Sequence, residues 1–79
     1  MTIDELLKKF ETLQAYDLCL FHHASTNEYH WIFDQEVDGA GIKISKRESS
    51  CLTALAAVWY EIDQLLKSNK NLKPLLIKL

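Results

Sequence analysis

The side chains in this sequence that could do more than pack are concentrated in one stretch. FHHASTNEYH, residues 21 to 30, holds His22, His23 and His30, with Cys19 just upstream. Imidazoles and thiolates ligate borderline metal ions, and a thiol beside an imidazole can act as a nucleophile. Both chemistries require convergence. A structural zinc site needs four ligands in a tetrahedron, and a nucleophile must lie within hydrogen-bond reach of its base. Convergence is decided by the elements that carry these residues.

Thr2 followed by Glu5 has the spacing of a capping box, and Ile3, Leu6, Leu7, Phe10 and Leu13 recur at helical spacing. This predicts a first helix over residues 3 to 14. Residues 17 to 23 and 28 to 34 are rich in apolar and aromatic types and flank ASTN, which predicts a hairpin. Asp38-Gly39 is a two-residue turn signal, because both positions of that turn favour positive φ. GIKIS, residues 41 to 45, then reads as a third strand. Ser45 and Glu48 have the spacing of a second capping box. Cys51, Leu52, Leu55, Val58, Trp59, Ile62, Leu65 and Leu66 follow on one face of a second helix over 46 to 67. The tail LKPLLIKL fits a short terminal helix with Pro74 in its first turn.

Turn length sets register. A four-residue loop at 24 to 27 puts Leu20 opposite Trp31 and Leu18 opposite Phe33. A two-residue turn at 38 and 39 puts Phe33 opposite Ile44 and Gln35 opposite Ile42. Both turns gather Leu18, Leu20, Tyr29, Trp31, Phe33, Ile42 and Ile44 on one face, and a slip of one residue would scatter them. The expected fold is therefore α+β, ordered α-β-β-β-α, as a three-stranded antiparallel meander with both helices on that apolar face. The opposite face carries Cys19, Phe21, His23, His30, Ile32, Asp34 and Lys43. His22 points the other way, toward Tyr29, so the three histidines cannot share one ion. His23 and His30 become diagonal neighbours roughly 7 Å apart. No metal and no cofactor are expected on so flat a surface, and no catalytic spacing is recognisable.

Composition narrows the classes further. Seventy-nine residues, 48% hydrophobic with two tryptophans, predict one domain over 1–79, near the lower size limit for a core without staples. A net charge of −2 gives no general attraction to nucleic acid. Two cysteines are too few for a secreted disulfide scaffold. MTIDELLKKF is amphipathic rather than uniformly apolar, so neither a signal peptide nor a membrane span is expected. A cytoplasmic protein follows.

Three surface features remain. Phe21, Ile32 and Cys19, rimmed by His23, His30, Asp34 and Lys43, form an apolar centre with a polar edge, the pattern of a binding surface. Ordinary exposure of a few apolar side chains, or a tail folded across them, would give the same pattern. Asp34, Glu36 and Asp38, with Glu28 at the other end of its strand, either solvate a turn or form an acidic lobe for a basic groove. Leu72, Leu75, Leu76, Ile77 and Leu79 call for burial, against this domain or a second copy.

The order helix, three strands, long helix, with YHWIFD in the second strand and SSCLTALAAVWYEI in the last helix, resembles small phage and prophage proteins of the α-β-α sandwich type. In size and layout it is also similar to several anti-CRISPR proteins. The likeness covers residues 3 to 67 and is one of architecture, with no invariant motif and no catalytic residue to carry over. It implies a non-enzymatic protein that inhibits a nucleic-acid-binding effector by occupying its surface, itself binding neither nucleic acid nor membrane. The contact candidates are Phe21, His23, Glu28, His30, Ile32, Asp34, Glu36 and Asp38. The alternative is a structural or regulatory homodimer joined through the exposed sheet face or the tail. A third reading is a metal-dependent sensor using Cys19, His23 and His30.

Overall fold

The computed structural model describes residues 1–13, 16–37 and 40–68, of which 36, 37, 40 and 68 are placed by their backbone alone. Helix α1 spans Ile3–Phe10, strands β1, β2 and β3 span Asp17–His23, Glu28–Val37 and Ala40–Glu48, and helix α2 spans Cys51–Ser68. The strands form one antiparallel sheet in the order β1-β2-β3, giving the α-β-β-β-α arrangement of an α+β fold.

Helix α1 begins at the expected cap. Thr2 is extended, and its hydroxyl oxygen accepts the Glu5 amide at 3.2 Å. Asp4 and Glu5 in the first turn and Lys8 and Lys9 in the last both oppose the helix dipole favourably. The helix stops at Phe10, short of the expected residue 14. The amides of Glu11, Thr12 and Leu13 bond back to the carbonyls three residues earlier, which tightens the chain into turns. The Thr12 hydroxyl also donates to the Lys9 carbonyl at 2.7 Å, competing for the acceptor that helix continuation would use.

The register is the one that the turn lengths predict: Leu20 pairs with Trp31, Leu18 with Phe33, Phe33 with Ile44 and Gln35 with Ile42. Val37 pairs with Ala40, so residues 38 and 39 make the connection. That turn, including Asp38, lies outside the described residues, as does the tail from residue 69 onward.

The third strand is longer than GIKIS, and this corrects the start of the second helix. Lys46, Arg47 and Glu48 pair with Trp31, His30 and Tyr29. Ser45 is therefore a strand residue and not a cap. Ser50 takes that role: its hydroxyl accepts the Thr53 amide at 3.3 Å and its carbonyl accepts the Ala54 amide at 3.0 Å. The physical reason is the length of β2. Its N-terminal half leaves backbone groups that only residues 46 to 48 can pair, and a helix there would orphan them.

The core lies between the sheet and the helices. Leu6 and Phe10 of α1, Leu13, Trp31, Phe33 and Ile44 of the sheet, and Ala54, Leu55, Val58 and Ile62 of α2 are buried together. Phe10 reaches from α1 to Trp59 at 5.1 Å and to Phe33 and Tyr16 at 6.0 Å, centroid to centroid. Burying each of the largest of these side chains contributes about 1.5–3 kcal/mol. Helix α2 packs across β2 and β3, and α1 packs on α2. Neither α1 nor α2 lies over β1, and Leu20, expected in the core, is 44% exposed.

Candidate interaction surface

Strand alternation turns one whole side of the sheet away from both helices. Pairing arranges that side in rows. Asp17, Asp34 and Lys43 form the first row, Cys19, Ile32 and Ser45 the second, and Phe21, His30 and Arg47 the third. His23 and Glu28 form the fourth. The centre is apolar, and charge or imidazole lies at both ends. Phe21 is 51% exposed, with its ring 6.3 Å from that of His30.

The end nearest the β1–β2 loop is held by a hydrogen-bonded network. Arg47 donates from Nε to Glu28 Oε1 at 3.1 Å and from Nη2 to the Thr26 hydroxyl at 3.2 Å. The hydrogen bond from Thr26, followed by the nearby guanidinium, holds the Glu28 carboxyl below its ordinary value. His23 Nε2 meets His30 Nδ1 at 3.2 Å, with the rings stacked at 5.3 Å, and His30 Nε2 meets the Ser45 hydroxyl. Partial burial, then Arg47 and His30, push the His23 imidazole below its ordinary value.

Of the residues singled out from the sequence, Phe21, His23, Glu28, His30, Ile32 and Asp34 share this face. Glu36 belongs to it by register, opposite Gly41, and Asp38 lies outside the described residues. His22 lies on the other side, stacked on Tyr29 at 4.7 Å with its Nε2 3.1 Å from Asn27 Oδ1. Cys19 is exposed in the second row. Among the described residues no three or more His, Cys, Asp or Glu side chains are grouped to hold a metal ion, so Cys19, His23 and His30 do not form one site.

Three members of the face were not legible as such. Arg47 falls inside the helix that the sequence predicts and Ser45 serves as its expected cap, and only a longer third strand places both on this face. Asp17 follows from extending the register by one pair beyond Leu18–Phe33, which sets it directly opposite Asp34. Like charges opposite each other are unfavourable, and Lys43 on the far side of Asp34 offsets them.

No protein-family model matches the chain, and no curated protein or solved structure shows significant similarity to it. No helix among the described residues is long and apolar enough to cross a membrane.

Proposed function

We propose that this chain is a non-enzymatic binding protein of the phage type, acting in the host cytoplasm as an inhibitor that covers a partner's surface. The partner class that fits is a nucleic-acid-binding effector complex of the CRISPR kind. The observation that carries this reading is Phe21, half-exposed on the edge strand β1 in a sheet face that neither α1 nor α2 covers. Aromatic residues ringed by polar groups are the usual anchors of protein interfaces. The carboxylates of Asp17 and Asp34 on this face, with Glu36 at a register position of the same side, give a basic groove something to meet, and long-range attraction of this kind speeds encounter.

The test is inhibition of target-DNA binding by purified effector ribonucleoproteins, read as a mobility shift with and without the protein. Wild type abolishes the shift for a susceptible effector. Phe21→Asp and the paired reversal Glu36→Lys with Asp38→Lys lose that effect while keeping the wild-type melting temperature. Inhibition unchanged in both variants, or absent for wild type across effector classes, overturns the reading.

A homodimer is the second reading, and one observation favours it. Among the described residues β1 pairs only with β2, and Leu20 is exposed beside its outer edge. An open edge of this kind is a template for a second strand. Sedimentation at high micromolar concentration decides: a single species of 9.2 kDa removes the dimer.

A further inference from the structure

We propose that His23 and His30 form a two-imidazole chelate for a borderline divalent cation such as zinc or copper(II), with Cys19 taking no part. Their nitrogens, His23 Nε2 and His30 Nδ1, stand 3.2 Å apart. Two imidazole nitrogens bound to one tetrahedral ion at roughly 2.0–2.1 Å lie about 3.3–3.4 Å from each other. The spacing of the two nitrogens is therefore close to the bite of a metal ion, and rotation of the two rings re-aims their lone pairs at it.

The surroundings favour the ligating form. Ser45 engages the far nitrogen of His30. When His30 Nε2–H donates to that hydroxyl, Nδ1 carries the lone pair and faces His23. Outer partners of this type fix tautomer and ring orientation at metal sites. His23 Nε2 now needs its own lone pair, so the His23 proton moves to Nδ1 and one proton leaves the gap between the rings. Among the described residues in this corner, the Arg47 guanidinium is paired with Glu28, its Nε 3.1 Å from Oε1. Two protein ligands leave the remaining positions of the ion to water, on a face open to solvent.

Stripped, untagged protein is titrated with zinc sulfate by calorimetry, and with copper(II) while the histidine ring protons are followed by NMR. The expected result is one ion per chain, with His23 and His30 signals broadened by copper more strongly than those of His22. His23→Ala and His30→Ala each weaken binding at least tenfold, and Ser45→Ala weakens it by roughly 10-fold. His22→Ala and Cys19→Ser leave it unchanged. His23→Gln serves if the alanine variant does not fold. Binding retained without His23 or His30, equal broadening of His22, or no heat at millimolar zinc overturns the proposal. Loss of the partner-blocking activity proposed above would not bear on it, because the readout is the ion alone.

Discussion

Leu20 and Trp31 stand opposite each other across β1 and β2, yet Trp31 is 8% exposed and Leu20 44%. Helix α2 covers one and not the other. The Trp31 indole also donates from Nε1 to the Cys51 carbonyl at 3.0 Å, tying the sheet to the first turn of α2. Trp31→Phe leaves that carbonyl without the indole and opens space beside it, so it should lower stability by about 1–3 kcal/mol. Leu20→Thr should change stability by no more than about 0.5 kcal/mol. Urea unfolding of both variants checks the contrast, and equal losses would show that β1 is covered after all.

The cap of α2 separates two serines five residues apart. Ser50→Ala removes the acceptor of the Thr53 amide and should cost about 1 kcal/mol. Ser45→Ala should leave the helix signal and the unfolding midpoint nearly unchanged, since Ser45 is on the open face of β3. Circular dichroism with thermal melts measures both, and the reverse order of effects would restore a helix beginning near residue 46.

Gln35 is 7% exposed, and its Oε1 accepts no hydrogen bond among the described residues. A buried amide in that state carries a desolvation penalty that an apolar side chain of similar length avoids. Gln35→Met should therefore raise stability by about 1 kcal/mol, read as a higher urea midpoint. A loss of that size would reveal a donor reaching Gln35 from the segments outside the described residues.

Acid should loosen the fold in two stages. His23 in the folded chain titrates below its ordinary value of 6.5, driven there by partial burial, then Arg47 and His30, with His22 adding a little and Glu28 opposing. Between the folded value and 6.5 the unfolded chain binds more protons, so stability falls as pH drops through that window. Glu28 is also depressed, from 4.5, by the Thr26 hydrogen bond first and Arg47 next, and its contribution is lost at lower pH, as the carboxylate protonates. Urea midpoints measured from about pH 7.5 down to about pH 5 should show the first stage. His23→Gln should abolish it, and an unchanged slope in that variant would assign the step elsewhere.

How far the fold could be read before the structure follows from where its information lies. Pairing is a matter of counting: the loop lengths at 24 to 27 and 38 to 39, with period-two alternation, put Leu18, Trp31, Phe33 and Ile44 on one face and Phe21, His23, His30 and Ile32 on the other. A register error would have exposed every one of the inward residues, so local pattern and global fold agree. That same counting separated His22 from its neighbours.

Element ends and coverage are not local quantities. Ser45 and Ser50 both precede a helical pattern, and only the unpaired backbone of β2 opposite residues 46 to 48 chooses Ser50. Leu20 has the right parity for the core but neither α1 nor α2 above it, because α2 lies over β2 and β3. The meeting of His23 Nε2 with His30 Nδ1, held from the far side by Ser45, likewise required three strands in place. By itself the sequence determined the strand order, the register and the two faces, because turn geometry and alternation act between near neighbours. Tertiary structure alone decided which parts of those faces are covered and which nitrogens meet, because burial and convergence depend on residues distant in the chain.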